Sequence, residues 1–186
     1  QKTAIKHPVD SDPDDAVSIA ANKITLAATI TDRDSDTDTA QLDLGPKLSF
    51  KDDGPTATVD PTKAPTLQVD ETASQTTGLN KAVSAEFAAA FSGSAGADGG
   101  DAAPSGYALN VTNGTASGLL DTATGQAIYL YLNANGVVEG RVGSGDAANA
   151  NGAVAFTVAV SNTGQVTLTQ KTAIKHPVDS DPDDAV

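Results

Sequence analysis

The chain has 186 residues, 39% of them apolar, with 24 acidic against 11 basic side chains and a formal net charge of −13. That length and apolar fraction suffice for a packed core, and the acidic balance, without any basic patch, argues against nucleic acid as a partner. Cysteine is absent, which removes disulfides, thiolate metal sites and cysteine nucleophiles together.

With four Phe, three Tyr and neither Trp nor Met, the core must be built from Val, Leu, Ile and Ala, a profile suited to thin β-sandwiches. No segment approaches the roughly 18 apolar residues of a membrane span, so no membrane insertion is expected. Unpaired carboxylates at this density destabilise a compact state, and a protein without disulfides can offset them with bound metal.

Residues 1–17 recur without a change as residues 170–186, a spacing of 170 − 1 = 169 residues. The simplest account is one unit of a near-identical tandem array plus the start of the next, so that adjacent identical repeats of the same polypeptide are the expected partners. His7 and His176 are then copies of a single histidine.

In chain order, the first six residues read as the end of a strand, followed by a proline-bounded acidic loop containing Asp10, Asp12, Asp14 and Asp15. Ile24, Leu26, Ala28 and Ile30 alternate with polar or small residues and predict a half-buried strand. It runs straight into Asp32, Asp34, Asp36 and Asp38. In an extended chain these four carboxylates fall on one side, about 6 to 7 Å apart, and their mutual repulsion calls for a cation. An all-oxygen ligand set favours a hard ion, Ca²⁺ above all. Leu42, Leu44, Leu48 and Phe50 continue beyond, with Gly45-Pro46 as a break, so the acidic cluster is expected to cap a hairpin.

Asp52 and Asp53 follow, and Pro55, Pro61 and Pro65, with few apolar residues between them, mark residues 56–65 as a linker. A short strand over residues 66–69 is expected to end at Asp70-Glu71. Val83, Phe87 and Phe91 recur at i, i+4 and i+8 among alanines, which predicts a short helix over residues 82–91. Asp98 and Asp101 sit in a glycine-rich loop. Thereafter the pattern is hairpins: Leu109 and Val111 before Asn113-Gly114, a turn at residues 121–125, then Ile128, Leu130 and Leu132 alternating with Tyr129 and Tyr131. Asn135-Gly136 leads into a strand over residues 137–142, and two final strands flank Asn162-Thr163-Gly164. About ten strands and one short helix predict an all-β sandwich.

Several blocks together resemble the tandem extender repeat of giant RTX adhesins exported by type I secretion. They are residues 24–44 with the alternating aspartates, 48–55 (Leu-Ser-Phe-Lys-Asp-Asp-Gly-Pro), 67–72 (Leu-Gln-Val-Asp-Glu-Thr), 97–99 and 118–127. Their order matches once the unit is read as circular. The resemblance implies an immunoglobulin-like, calcium-binding module of a bacterial cell-surface protein that holds terminal ligand-binding domains away from the cell. It implies Asp70 and Glu71 as ligands next after Asp32, Asp34, Asp36 and Asp38, and Asp98 and Asp101 more weakly; Asp12 and Asp15 are equally well read as a solvated loop. One departure stands out: the acidic hairpin of such repeats usually reads Asp-x-Asp-Gly-Asp, whereas here Ser35 replaces the glycine and Asp38 adds a carboxylate. An EF-hand does not fit, because Thr37 stands where glycine is needed.

In such a sandwich Asp52 and Asp53 of one unit approach the acidic hairpin of the next, and calcium at that junction stiffens the array. Residues 1–55 then close one unit, and residues 66–186 open the next. Either the first segment folds back as a circular permutant, or a neighbouring molecule supplies the missing strands, or the boundary lies near residues 10–15. In each case one copy of the duplicated strand lacks its usual place.

Two other functional classes fit the sequence less well. An enzyme needs a positioned base or nucleophile, and neither His7 nor Glu139 belongs to a recognisable constellation. A carbohydrate- or peptide-binding sandwich has only Tyr107, Tyr129 and Tyr131 to offer as exposed aromatics, and the two on the strand are expected to pack beneath the 82–91 helix.

Overall fold

The computed structural model describes residues 3–9, 12, 14–71 and 80–176. Asp10, the polar stretch after Thr72 and most of the second copy of the duplicated segment lie outside the described residues. The chain is all-β, as its alternating patterns predict, and its sheets are consistent with the expected immunoglobulin-like β-sandwich. It divides into two compact units, Gln1–Thr58 with Gly93–Ala103, and Val59–Ser92 with Pro104–Val186. The chain first passes between them inside the expected 56–65 linker, which itself carries a short strand.

In the first unit, β1 (Ala16–Ser18) pairs antiparallel with β4 (Ser49–Lys51), and β2 (Thr25–Thr31) with β3 (Thr37–Asp43). The expected break at Gly45-Pro46 is a single 3₁₀ turn, Gly45–Lys47, where a Cβ on Gly45 would lie 2.3 Å from the Ala20 carbonyl oxygen. Both carboxylate oxygens of Asp43 brace this corner, accepting from the N–H groups of Asn22 (2.8 Å) and Gly45 (3.0 Å). The β2–β3 ribbon departs from the half-buried expectation, for Leu26, Ile30 and Leu42 are 56%, 75% and 52% exposed. Alternation makes one face of a ribbon apolar; it does not supply a layer to cover it.

The second unit is organised by a six-stranded antiparallel sheet. Its meander runs β8 (Thr115–Leu120), β9 (Ala127–Leu132), β10 (Val138–Val142), β11 (Val154–Val160) and β12 (Gln165–Gln170), and β6 (Lys81–Glu86) adds to the outer side of β12. Each turn falls where glycine was read in the sequence, and Gly114, Gly125, Gly136 and Gly164 all take positive φ. Register lines Val83, Leu168, Val158, Val138 and Leu132 across five strands on one face. On the opposite face Thr169, Thr157, Glu139 and Tyr131 form a polar row. The core gathers Ile128, Val142, Ala155, Phe156 and Ile174. Ile128, fully buried, contributes on the order of 2 to 3 kcal/mol by leaving water.

Glu139 is held in that outer row by Asn133 Nδ2 (2.8 Å) and the Arg141 guanidinium, whose Nε donates at 2.8 Å. The hydrogen bond from Asn133, and then the arginine, keep its carboxyl below the usual glutamate value, against some desolvation.

The helix expected over residues 82–91 does not form. Val83, Ala85 and Phe87 satisfy a period of two as well as Val83, Phe87 and Phe91 satisfy 3.6, and pairing with β12 from Lys81↔Gln170 to Glu86↔Gln165 decides for a strand. A 3₁₀ turn, Ala88–Ala90, then leads to β7 (Phe91–Ser94), which pairs with β5 (Thr56–Val59). Tyr129 and Tyr131 therefore do not lie under a helix. They sit on β9, separated from β6 by three strands, and the Tyr129 hydroxyl donates to the Asp146 carbonyl at 3.1 Å. Residues 66–69 and 109–111 alternate in burial as predicted but join no ladder.

One close approach makes the sheet sensitive to a single methyl group. A Cβ on Gly140 would lie 2.3 Å from Phe156 Cε1, inside the ring it supports. Gly140→Ala is expected to destabilise the second unit by about 1 to 3 kcal/mol through overpacking, read from urea unfolding. An unchanged midpoint contradicts that packing.

Candidate metal centre

Register from Thr25↔Asp43 to Thr31↔Thr37 leaves residues 32–36 as the turn between β2 and β3. The reversal is closed by the N–H of Asp32 donating to the Asp36 carbonyl (2.9 Å) and that of Ser35 to the Asp32 carbonyl (3.2 Å). Ser35 takes φ 77°, the left-handed conformation that glycine occupies without cost. The serine thus performs the backbone role of the glycine expected at this point of the motif. Asp32 Oδ1 accepts from the N–H groups of Asp34 (3.2 Å) and Asp36 (3.0 Å), folding the acidic side chains inward.

As a result Asp32, Asp34 and Asp36, all exposed, each bring one carboxylate oxygen within 4.8 Å of the others. A turn gathers them, not the extended alternation expected from the sequence. Asp38 stays in β3 opposite Ile30, its Oδ1 accepting from the Thr39 N–H at 2.9 Å, outside that group of three.

Oxygens bound to one Ca²⁺ at about 2.4 Å lie at most about 4.8 Å apart, so the three carboxylates fit a single ion. Hard oxygen donors suit Ca²⁺ better than a softer transition metal. Three side chains do not fill six to eight positions, which leaves sites for water or for donors from a neighbour. The Asp32 carboxyl is held below its ordinary value of 3.8, chiefly by its hydrogen bond with the Asp34 carboxyl, with help from the N–H groups of Asp36, Asp34 and Ser35.

The other expected ligands are placed apart. Among the described residues no second group of three acids or histidines meets within the same distance. Asp12 Oδ1 caps the Asp14 N–H (3.1 Å), and Asp101 Oδ1 caps the Ala103 N–H (2.9 Å). Asp15 is buried against His7, with Oδ1 and Nδ1 3.0 Å apart but without the alignment of a hydrogen bond. Asp52 donates its N–H to the Asp15 carbonyl (3.0 Å), and its Oδ1 accepts from the Asp53 N–H (2.9 Å). Asp52 and Asp98 share one open cleft with Ile5 and His7. The Asp53 carbonyl accepts from the Ala97 N–H at 3.3 Å.

In the second unit the Asp70 carbonyl accepts from the Lys81 ammonium. Glu71 Oε1 accepts from the Gln170 side chain and, at 3.1 Å, from the Ile174 N–H. Asp121, 3% exposed, was not singled out from sequence. Its Oδ2 accepts from the N–H and hydroxyl of Thr124 (3.0 and 2.7 Å), and its Oδ1 from the Thr172 hydroxyl (3.1 Å). The signal for it was the Asp-Thr-Ala-Thr-Gly turn, where an aspartate before a glycine-ended turn caps its own loop.

The domain-of-unknown-function family DUF5801 has a family model that matches residues 1–45 and 66–186. The chain belongs to this family. Both the acidic turn and the six-stranded sheet lie within the matched residues of the DUF5801 domain, and residues 46–65 lie outside them. No curated protein and no solved structure matches the chain. No helix among the described residues is long and apolar enough to cross a membrane.

Two outcomes are expected at the turn. Ser35→Gly removes the strain of a left-handed serine and is expected to raise stability by about 0.5 to 1 kcal/mol, read as a higher thermal midpoint of the first unit. A lower midpoint contradicts the conformation. In metal-free protein, the depressed Asp32 carboxyl favours its anion, so its contribution to stability is present above pH 3.8 and is lost as pH falls through its lower folded value. Carboxyl NMR titration is expected to place the Asp32 midpoint below 3.8; a midpoint at or above that value contradicts the hydrogen bonding described.

Proposed function

We propose that this DUF5801 chain is a non-enzymatic extender module of a bacterial surface adhesin, a tandem repeat stiffened by several Ca²⁺ ions that projects terminal ligand-binding domains away from the cell. The observation that carries this reading is the group of three carboxylates on one hairpin turn, spaced for a single ion. It gains support from the exact recurrence of residues 1–17 at 170–186, which suits spacing better than recognition. The all-β architecture and the absence of cysteine also suit an extracellular rod whose cross-links are ionic.

On this reading Asp32, Asp34 and Asp36 supply the nucleus of the site, and the remaining positions are filled by water and by carboxylates of the adjoining repeat, Asp52 and Asp53 first among them. The ion neutralises the turn and fixes a joint that otherwise bends.

The test is calorimetric titration of Ca²⁺ into the full chain and into the Asp34→Asn/Asp36→Asn variant. The variant is expected to bind at least one ion fewer, and an unchanged stoichiometry removes the turn from the site. In an array of several repeats, scattering is expected to report a longer particle with Ca²⁺ than with chelator.

A further inference from the structure

The duplicated segment has one sequence and two environments. In its second copy, Gln170, Thr172 and Ile174 alternate inward. Gln170 ends β12, is 5% exposed, and donates through Nε2 to the Glu71 carboxylate and to the Thr172 carbonyl (3.0 Å). The N–H groups of Lys171 and Thr172 both donate to the Ala155 carbonyl (2.7 and 3.1 Å), and the Thr172 hydroxyl reaches Asp121. Ile174 enters the core beside Ile128, Val142, Ala155 and Phe156, and the Lys175 N–H donates to the Leu120 carbonyl at 2.8 Å.

In the first copy the described residues, from Thr3 onward, have none of this. Thr3, Ala4 and Lys6 are exposed and Ile5 is only half-buried. Among the described residues, positions 3–6 join no strand and make no backbone hydrogen bond. Among its described residues the polar contacts include His7 against Asp15 and the Val9 N–H donating to Asp15 Oδ2 at 3.3 Å.

We propose that Gln-Lys-Thr-Ala-Ile-Lys-His is a closing segment for the six-stranded body that precedes it, so that residues 1–7 of this chain are a ligand for the second unit of another copy. The slot is defined by its chemistry. It offers an apolar hole for one isoleucine, a carboxylate (Glu71) for an amide side chain and a main-chain N–H, and a buried carboxylate (Asp121) for a hydroxyl two residues earlier. A strand-like Gln-x-Thr-x-Ile peptide satisfies all three, main-chain bonds giving affinity and alternate pockets giving specificity.

The histidine is the boundary. In one copy Nδ1 is 3.0 Å from Asp15 of the body that follows, and in the other Nε2 is 3.9 Å from Glu71 of the body that precedes. The two contacts use different ring nitrogens, so they do not compete for one atom of the histidine. The repeat is therefore divided after this histidine, not before Gln1. This inference rests on the tandem-array part of the proposed function and is independent of calcium.

The test uses the full chain in chelator, so that its failure is separate from any failure of calcium binding. Ile174→Asp expels the chain's own closing segment while leaving Ile5 intact. It is expected to associate with increasing concentration in sedimentation velocity, through residues 1–7 of a second copy. The wild type, Ile5→Asp and the Ile5→Asp/Ile174→Asp double variant are expected to stay monomeric. A monomeric Ile174→Asp chain that still melts cooperatively overturns the proposal, and so does equal association of the double variant. Should Ile174→Asp fail to fold, a chain of two repeats in series decides: the inner copies of the Lys171, Thr172, Ile174 and Lys175 amides are expected to resist hydrogen exchange as the terminal ones do. Inner amides that exchange as fast as those of residues 3–6 overturn it.

Discussion

Asp32, Asp34 and Asp36, all exposed, crowd three carboxylates into five residues of a two-stranded ribbon, with oxygens within 4.8 Å of one another. Like charges held that closely oppose the very turn that gathers them. Backbone N–H donors to Asp32 and a left-handed Ser35 keep the turn closed, yet they neutralise no charge. A divalent cation does, and because its ligands must be deprotonated, binding and the geometry of the turn support each other. The exposed apolar face of the same ribbon shows how little packing holds it, and the proposed ion would supply rigidity that packing does not.

The second unit is stabilised differently. Its sheet buries a compact set of aliphatic side chains and one phenylalanine, and two acidic residues, Glu71 and Asp121, act as acceptors for the duplicated segment. The same type of side chain therefore has two settings in one chain: exposed and crowded on the acidic turn, and shielded and accepting N–H and O–H donors where it holds the duplicated segment.

The alternation at Ile128, Leu130 and Leu132 and the glycine turns were enough to place most of the second sheet, because a period of two bounded by positive-φ glycines has one reading. The 82–91 segment was not legible, since its alanine-rich pattern satisfies two periods and a long-range pairing with β12 chooses between them. Three of the four clustered aspartates were legible as a group, although the turn that collects them depends on the backbone of Ser35, which spacing does not report. Glu71 was visible as an acid after an alternating stretch, but its partner Gln170 lies 99 positions away. No local pattern carries such information.

A cation bound to the native acidic turn would offset its repulsion, and a ligand that binds only the folded state must raise its stability. The most direct measurement is the thermal midpoint of the full chain in saturating Ca²⁺ and in chelator, with Mg²⁺ as the comparison ion. A clear rise is expected with Ca²⁺ and a smaller one with Mg²⁺, which demands near-ideal octahedral geometry. Identical midpoints in Ca²⁺ and chelator contradict a cation bound at the turn.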